Sequence, residues 1–182
     1  MPILKLTQQG LPVKWISHEA AATIITKGQV CWTLGENVHT LHGGYNYLGE
    51  QSILELPSII AVHGKCKQEN FTAPLCNKAL FKRDNHICMY CGNSFHQSQL
   101  TRDHVTPKGQ GGKDIWTNVV ASCWRCNNHK GCRTPEEANM PLLAVPFAPN
   151  RFEYMYLATH HVRGDQMEYL SSRFSQKRLW AA

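Results

Sequence analysis

Of the eight cysteines in this 182-residue chain, four stand as two C-x2-C pairs, Cys88/Cys91 and Cys123/Cys126. Each pair presents two thiolates from one tight turn, and two pairs a few tens of residues apart close the tetrahedron of a zinc site. Four thiolates leave no open coordination position, so that chemistry is structural. Between and just beyond the pairs lie a carboxylate with an adjacent imidazole, Asp103-His104, and the carboxamides of Asn118 and Asn127. A carboxylate, an imidazole and carboxamides are what a metal-dependent hydrolase needs.

The elements that must position these groups follow from local pattern. After Cys91-Gly92 the sequence predicts a strand over 99–105 that stops at Pro107, a flexible loop at Gly109, Gly111 and Gly112, a second strand over 116–121, and a short helix over 123–130. Thr134-Pro135-Glu136-Glu137 has the form of a helix start, and Pro141, Pro146 and Pro149 prevent a long continuation. Upstream, Ser17 caps a predicted helix through Ala20, Ala21, Ile24 and Ile25 that ends at Gly28. A strand is expected over 30–34, a turn at His42-Gly43-Gly44, and one or two sheet-edge strands over 53–62, broken by Pro57. The class is α+β: a small mixed α/β unit over 1–80, a strand-loop-strand-helix unit over 81–149, and a partly helical tail over 150–182 with its best helix at 166–174.

Net charge is +6, and from Phe81 to Arg133 eight Lys/Arg stand against three Asp, whereas Met1–Leu80 carries +1 and Thr134–Ala182 none. Positive charge concentrated on the motif suits a polyanionic phosphate backbone. No apolar stretch approaches the ~18 residues of a membrane span, and the N-terminus lacks a signal core. The expected location is the cytoplasm, where cysteines stay reduced and the paired ones read as metal ligands. Cys31, Cys66, Cys76 and Cys132 fall outside the pattern; a second metal site at His63-x2-Cys66 with Cys76 is the lesser alternative, its spacing being irregular, and free, partly buried cysteines are the favoured reading.

Taken together, Phe81-Lys-Arg-Asp84, Cys88-Met-Tyr-Cys91-Gly92, Leu100-Thr-Arg-Asp-His-Val-Thr-Pro107, Gly111-Gly112, Trp116-Thr-Asn-Val119, Cys123-Trp-Arg-Cys126-Asn127 and Lys130-Gly131 resemble the HNH endonuclease family, in the zinc-stabilised four-cysteine bacterial branch of the ββα-metal nucleases. The likeness covers residues 81–149. It implies a ββα-metal finger with a structural Zn2+, and metal-dependent hydrolysis of DNA phosphodiester bonds leaving 5′-phosphate and 3′-hydroxyl ends. Carried over by position, it makes His104 the general base, with Asp103 and Asn127 holding one divalent cation. All-oxygen ligation favours Mg2+ or Mn2+. It makes Asn118 the brace of the loop that carries the base. Two departures stand out. The third family position is often His and is Asn127, and Arg102 takes a strand position that is commonly apolar, which sends it toward a phosphate. Strict strand alternation also places Asp103 and His104 on opposite faces.

Lys130 and Arg133 are expected at the phosphate backbone beside Arg102, and Trp116 and Trp124 against the zinc knuckle. His86, His96 and His129 match no required position. The rival readings are a noncatalytic zinc-containing module that binds nucleic acid and a structure-selective or RNA-directed nuclease. The motif hydrolyses without reading bases, so target choice falls to the first eighty residues, the tail or a partner. One centre cuts one strand; double-strand breaks need a homodimer or two events.

Overall fold

The structure is a computed structural model and describes residues 1–64, 71–159 and 161–175. In chain order the elements are β1 (Ile3–Thr7), β2 (Pro12–Ile16), α1 (His18–Thr26), β3 (Val30–Tyr45), β4 (Gln51–Val62), α2 (Asn77–Arg83), β5 (Leu100–His104), β6 (Val119–Cys123), α3 (Trp124–Lys130), α4 (Arg151–Ala158) and α5 (Gly164–Ser171). They form two compact units, Met1–Phe71 with Asn150–Ala182, and Thr72–Pro149. Among the described residues no helix is long and apolar enough to cross a membrane.

The first unit is a four-stranded sheet in the order β2-β1-β4-β3. Successive residues of a strand point to opposite faces, and here each face buries its own apolar set. Leu4, Leu6, Ile59 and Ala61 pack with Phe152, Met155 and Leu170 from α4 and α5. Ile3, Ile16, Leu56 and Ile60 pack with Ala21 of α1. Ser17 caps α1 as expected, its hydroxyl accepting from the Ala20 amide at 3.3 Å. The expected turn at Gly43-Gly44 is instead part of β3. The chain reverses at Asn46, whose Oδ1 accepts from the amides of Leu48 and Glu50. An asparagine that can bond its own backbone two residues on outcompetes the glycine pair as turn former.

Strand β4 corrects the edge assignment for 53–62, since it runs unbroken through Pro57 and lies inside the sheet. Its pairing with β1 begins only at Ile59, so Pro57 has one sheet neighbour, Asn37, where the register shifts. That irregularity accommodates a residue with no N–H to give the ladder. Helices α4 and α5 are part of this unit rather than a separate tail. The Trp15 indole donates to the Met155 carbonyl at 3.0 Å, and buried Gln166 donates to the Pro2 and Ser58 carbonyls at 3.1 and 2.9 Å.

The second unit holds β5 and β6 as an antiparallel pair, from Leu100 opposite Cys123 to His104 opposite Val119, with α3 following β6 at once. It begins at Thr72, ahead of the boundary expected at 81, because α2 packs into it. Arg83 is buried, and its guanidinium donates to the carbonyls of Trp116, Val119 and Phe147 as well as to Asp84. Asp84 in turn accepts from the Ala121 amide at 2.7 Å. A buried ion pair is tolerable when further hydrogen bonds satisfy it in this way. The second strand starts at Val119 rather than 116, since Trp116–Asn118 forms a 3-10 turn. At Thr134 the reciprocal capping bonds with Glu137 form, yet only a turn follows. Asn139 takes a left-handed φ of 53°, and Pro141 disfavours helix for the residue before it.

Candidate metal centre and active site

The four paired cysteines converge, with ligand sulfurs all within 4.8 Å of one another. The first pair comes from a tight turn in which the Gly92 amide reaches the Cys88 carbonyl at 2.9 Å and Gly92 takes a φ of 75°. In the second pair Cys123 stands at the N-cap of α3 and Cys126 in its first turn. Zinc–sulfur bonds of about 2.3 Å imply sulfur separations of about 3.8 Å, so the cluster closes on an ion with small shifts. Burial opposes ionisation of Cys88, but the backbone amides of Cys123, Cys91 and Tyr90 bring it down to about 7. Burial and the neighbouring thiols push Cys126 well up, and Cys91 is also raised, by burial first. A thiolate crowded by three more sulfurs calls for a soft divalent cation, and the donor set fits one.

Strand β5 presents two different faces, as alternation requires. Toward α3 point Thr101 and Asp103, met by Asn127 and Lys130, which lie three residues apart and so share one helix face. The Asn127 amide donates to the Thr101 hydroxyl at 2.8 Å. The Lys130 ammonium donates to Asp103 Oδ1 at 3.1 Å and to the His104 carbonyl at 2.9 Å, while the Tyr90 hydroxyl donates to Asp103 Oδ2. Burial, and then the Asp103 carboxylate, hold the Tyr90 phenol protonated well above its ordinary range.

These contacts correct one expectation and strain another. Lys130 is 0% exposed and is an internal counter-ion, not a phosphate contact, because its helix face turns to the strand. Asp103 and Asn127 do share a face, but both Asp103 oxygens are already taken and the residue is only 5% exposed. A resident divalent cation there would sit against the Lys130 ammonium. As they stand, the two residues do not fit an open oxygen-ligated site.

On the other face, His104 Nε2 lies 2.8 Å from Asp114 Oδ1. Arg102 Nη1 donates to Asp114 Oδ2 at 2.7 Å and Arg102 Nε to Asn77 Oδ1 at 2.8 Å. Arg102, expected at a phosphate, is thus engaged by protein. Slight burial works against it, but the bonds from Arg102 and His104 hold the Asp114 carboxyl below its ordinary range. Asn118 Oδ1 accepts from the Thr106 amide at 2.9 Å, and its Nδ2 donates to the carbonyls of Thr106 and Lys113 at 3.1 and 2.9 Å. Within that loop a Cβ on Gly112 would meet the Thr106 carbonyl oxygen at 1.8 Å, so only glycine closes it.

Arg133 is exposed and folds back on the end of α3, donating to the carbonyls of His129 and Lys130 at 2.6 and 3.3 Å. Trp116 is buried with the Arg83 guanidinium over its ring, and Trp124 is 58% exposed. A hollow of about 740 Å³ beside the thiol cluster is lined by Asn93, Phe95, Arg125, His129 and Met140; His104 is not among its lining residues. Cys31, Cys76 and Cys132 are free. Cys66 lies outside the described residues, and with it the His63/Cys66/Cys76 set. Sequence reasoning passed over Tyr90 and Asp114. The available signals were a tyrosine inside the first cysteine turn and an acid, one of three between 81 and 133, at the end of the glycine loop.

Two antiparallel strands joined by a braced loop and followed at once by a helix, with thiols anchoring both ends, define a ββα-metal finger. A family model for HNH endonuclease matches residues 88–143, so this segment of the chain is similar to the HNH endonuclease family. Over 51 residues, 28% of this chain, it is 43% identical to a protein of Corynebacterium diphtheriae named CRISPR-associated endonuclease Cas9. That match spans 5% of the relative's length.

Proposed function

We propose that the chain is a DNA endonuclease in which His104 is the general base. Its imidazole takes a proton from water as the water oxygen bonds to phosphorus. The bond from phosphorus to the 3′ oxygen then breaks, and that oxygen takes a proton from solvent water, leaving 5′-phosphate and 3′-hydroxyl ends. The observation that carries this reading is the placement of His104 at the end of β5, next to the loop that Asn118 ties down with three side-chain hydrogen bonds. A base contributes only when its position is held, and a well-placed one supplies ~10²- to 10⁴-fold. The Cys88, Cys91, Cys123 and Cys126 cluster is read as the seat of a structural Zn2+.

Dependence on Mg2+ or Mn2+ comes from the family. With Asp103 occupied by Lys130 and Tyr90, such a cation is held weakly. The same closed carboxylate favours a second reading, a noncatalytic zinc module that binds nucleic acid. The experiment is nicking of supercoiled plasmid by wild-type and His104→Ala protein, with Mg2+, Mn2+ or excess EDTA. Cleavage that needs millimolar cation and is lost in His104→Ala, with fold and DNA binding kept, supports the nuclease. Binding without cleavage under every condition supports the module. Sedimentation alongside the assay tests whether double-strand cutting, if seen, accompanies a homodimer.

A further inference from the structure

We infer that Asp114 is a positioning residue that holds the His104 imidazole through Nε2, so that Nδ1 is the nitrogen that takes the proton from water. The inference rests on His104 being the base. An ionised carboxylate only accepts hydrogen bonds, so the 2.8 Å contact between Asp114 Oδ1 and His104 Nε2 requires the proton on Nε2. Nδ1 is then left with its lone pair. The tautomer is therefore set by a neighbour that occupies the other nitrogen.

Asp114 is itself held from two sides. Arg102, two residues before His104 and so on the same face of β5, binds its second oxygen at 2.7 Å and is steadied by Asn77 at 2.8 Å. Asn118 binds the carbonyl of Lys113, the preceding residue, at 2.9 Å. Asp114 and Arg102 are partly exposed, with side chains 42% and 20% accessible. A bare surface pair of this kind stabilises a fold by little, ~0–1 kcal/mol, so its geometry matters more than its energy.

The arrangement distinguishes Asp114→Asn from an ordinary surface change. A guanidinium has donors only, so Arg102 turns the new amide oxygen toward itself and the NH2 toward His104. Nε2 must then accept, the proton moves to Nδ1, and the base is blocked. The test compares wild type, Asp114→Asn, Asp114→Glu and the double variant Asp114→Asn/Arg102→Ala. It reads plasmid-nicking kcat and KM, thermal melting, and the long-range proton–nitrogen NMR signals of the His104 ring, assigned by their loss in His104→Gln. Asp114→Asn is expected to lower kcat by about 100-fold or more, since a wrong tautomer in a comparable histidine dyad costs ~10⁴, with KM and melting nearly unchanged. Its ring signal should shift from Nε2–H toward Nδ1–H, and both Asp114→Glu and the double variant should recover part of kcat. An unchanged tautomer in Asp114→Asn overturns the inference, as does a loss of kcat that only tracks a loss of melting temperature. If His104→Ala still cuts, the base assignment fails instead, while the NMR result continues to report on Asp114.

Discussion

Replacing Lys130 separates the structure's account of this site from a surface reading most directly. The Lys130–Asp103 pair spans 3.1 Å with side-chain accessibilities of 1% and 6%, so solvent screens it little. Lys130→Met keeps the aliphatic stem and removes the ammonium. Asp103 then retains Tyr90 as its only described partner, and the His104 carbonyl loses a bond of 2.9 Å. Breaking one side of a buried pair costs about 3–5 kcal/mol, and a deprived buried acceptor about 1–3 kcal/mol. Neighbouring terms do not add in full, so a loss on the order of 4 kcal/mol is expected. At roughly 4–8 °C per kcal/mol for a small domain, the second unit should melt about 15 °C lower or more. The assay is thermal and urea unfolding of metal-loaded protein, with Asp103→Asn and the double variant completing a cycle. The double variant should fall by less than the sum of the singles, because a neutral amide no longer needs the ammonium. DNA binding by the folded fraction should keep its salt slope. If Lys130→Met instead melts like wild type and shows a shallower salt slope, the ammonium lies at the phosphate backbone and the buried pair is refuted.

Three further outcomes are expected. Cys126→Ser should lose bound metal and melt lower, together with loss of DNA binding, because metal ligation in small zinc modules supplies on the order of 10 kcal/mol of folding free energy; normal metal content by elemental analysis would contradict this. Asn118→Ala removes three side-chain bonds and should cost about 1–3 kcal/mol, with amide exchange accelerating at Thr106 before the rest of the unit; uniform acceleration would mean that the loop is not separately braced. In the first unit, burial pushes the Asp165 carboxyl up, but bonds from Ser58 and the amides of Glu36 and Gln166 hold it below its ordinary value. A lowered folded pKa stabilises above the unfolded value near ~3.9 and loses that stabilisation as pH falls through the folded one. Melting of the first unit should therefore fall below about pH 4, and Asp165→Asn should flatten that limb.

What could be read along the chain was what neighbours in sequence decide. The two cysteine pairs, the Ser17 cap and the strand-loop-strand-helix order were legible because tight turns, caps and periodicity involve groups only a few residues apart. Local signals also misled where they competed, as at Gly43-Gly44 against Asn46, and at Thr134, where capping bonds form without a helix. The roles of charged groups were not legible. Lys130 meets Asp103 across 27 residues and Asp114 meets His104 across 10. Gln166 secures the C-terminal segment to Pro2 across 164. A lysine near the end of a basic, seven-residue helix looks like a surface cation until the helix is rotated against its strand. Only that rotation decides whether the ammonium faces water or a carboxylate, because the energy of a charge is set by the medium and the partner around it, and both are supplied by distant parts of the chain.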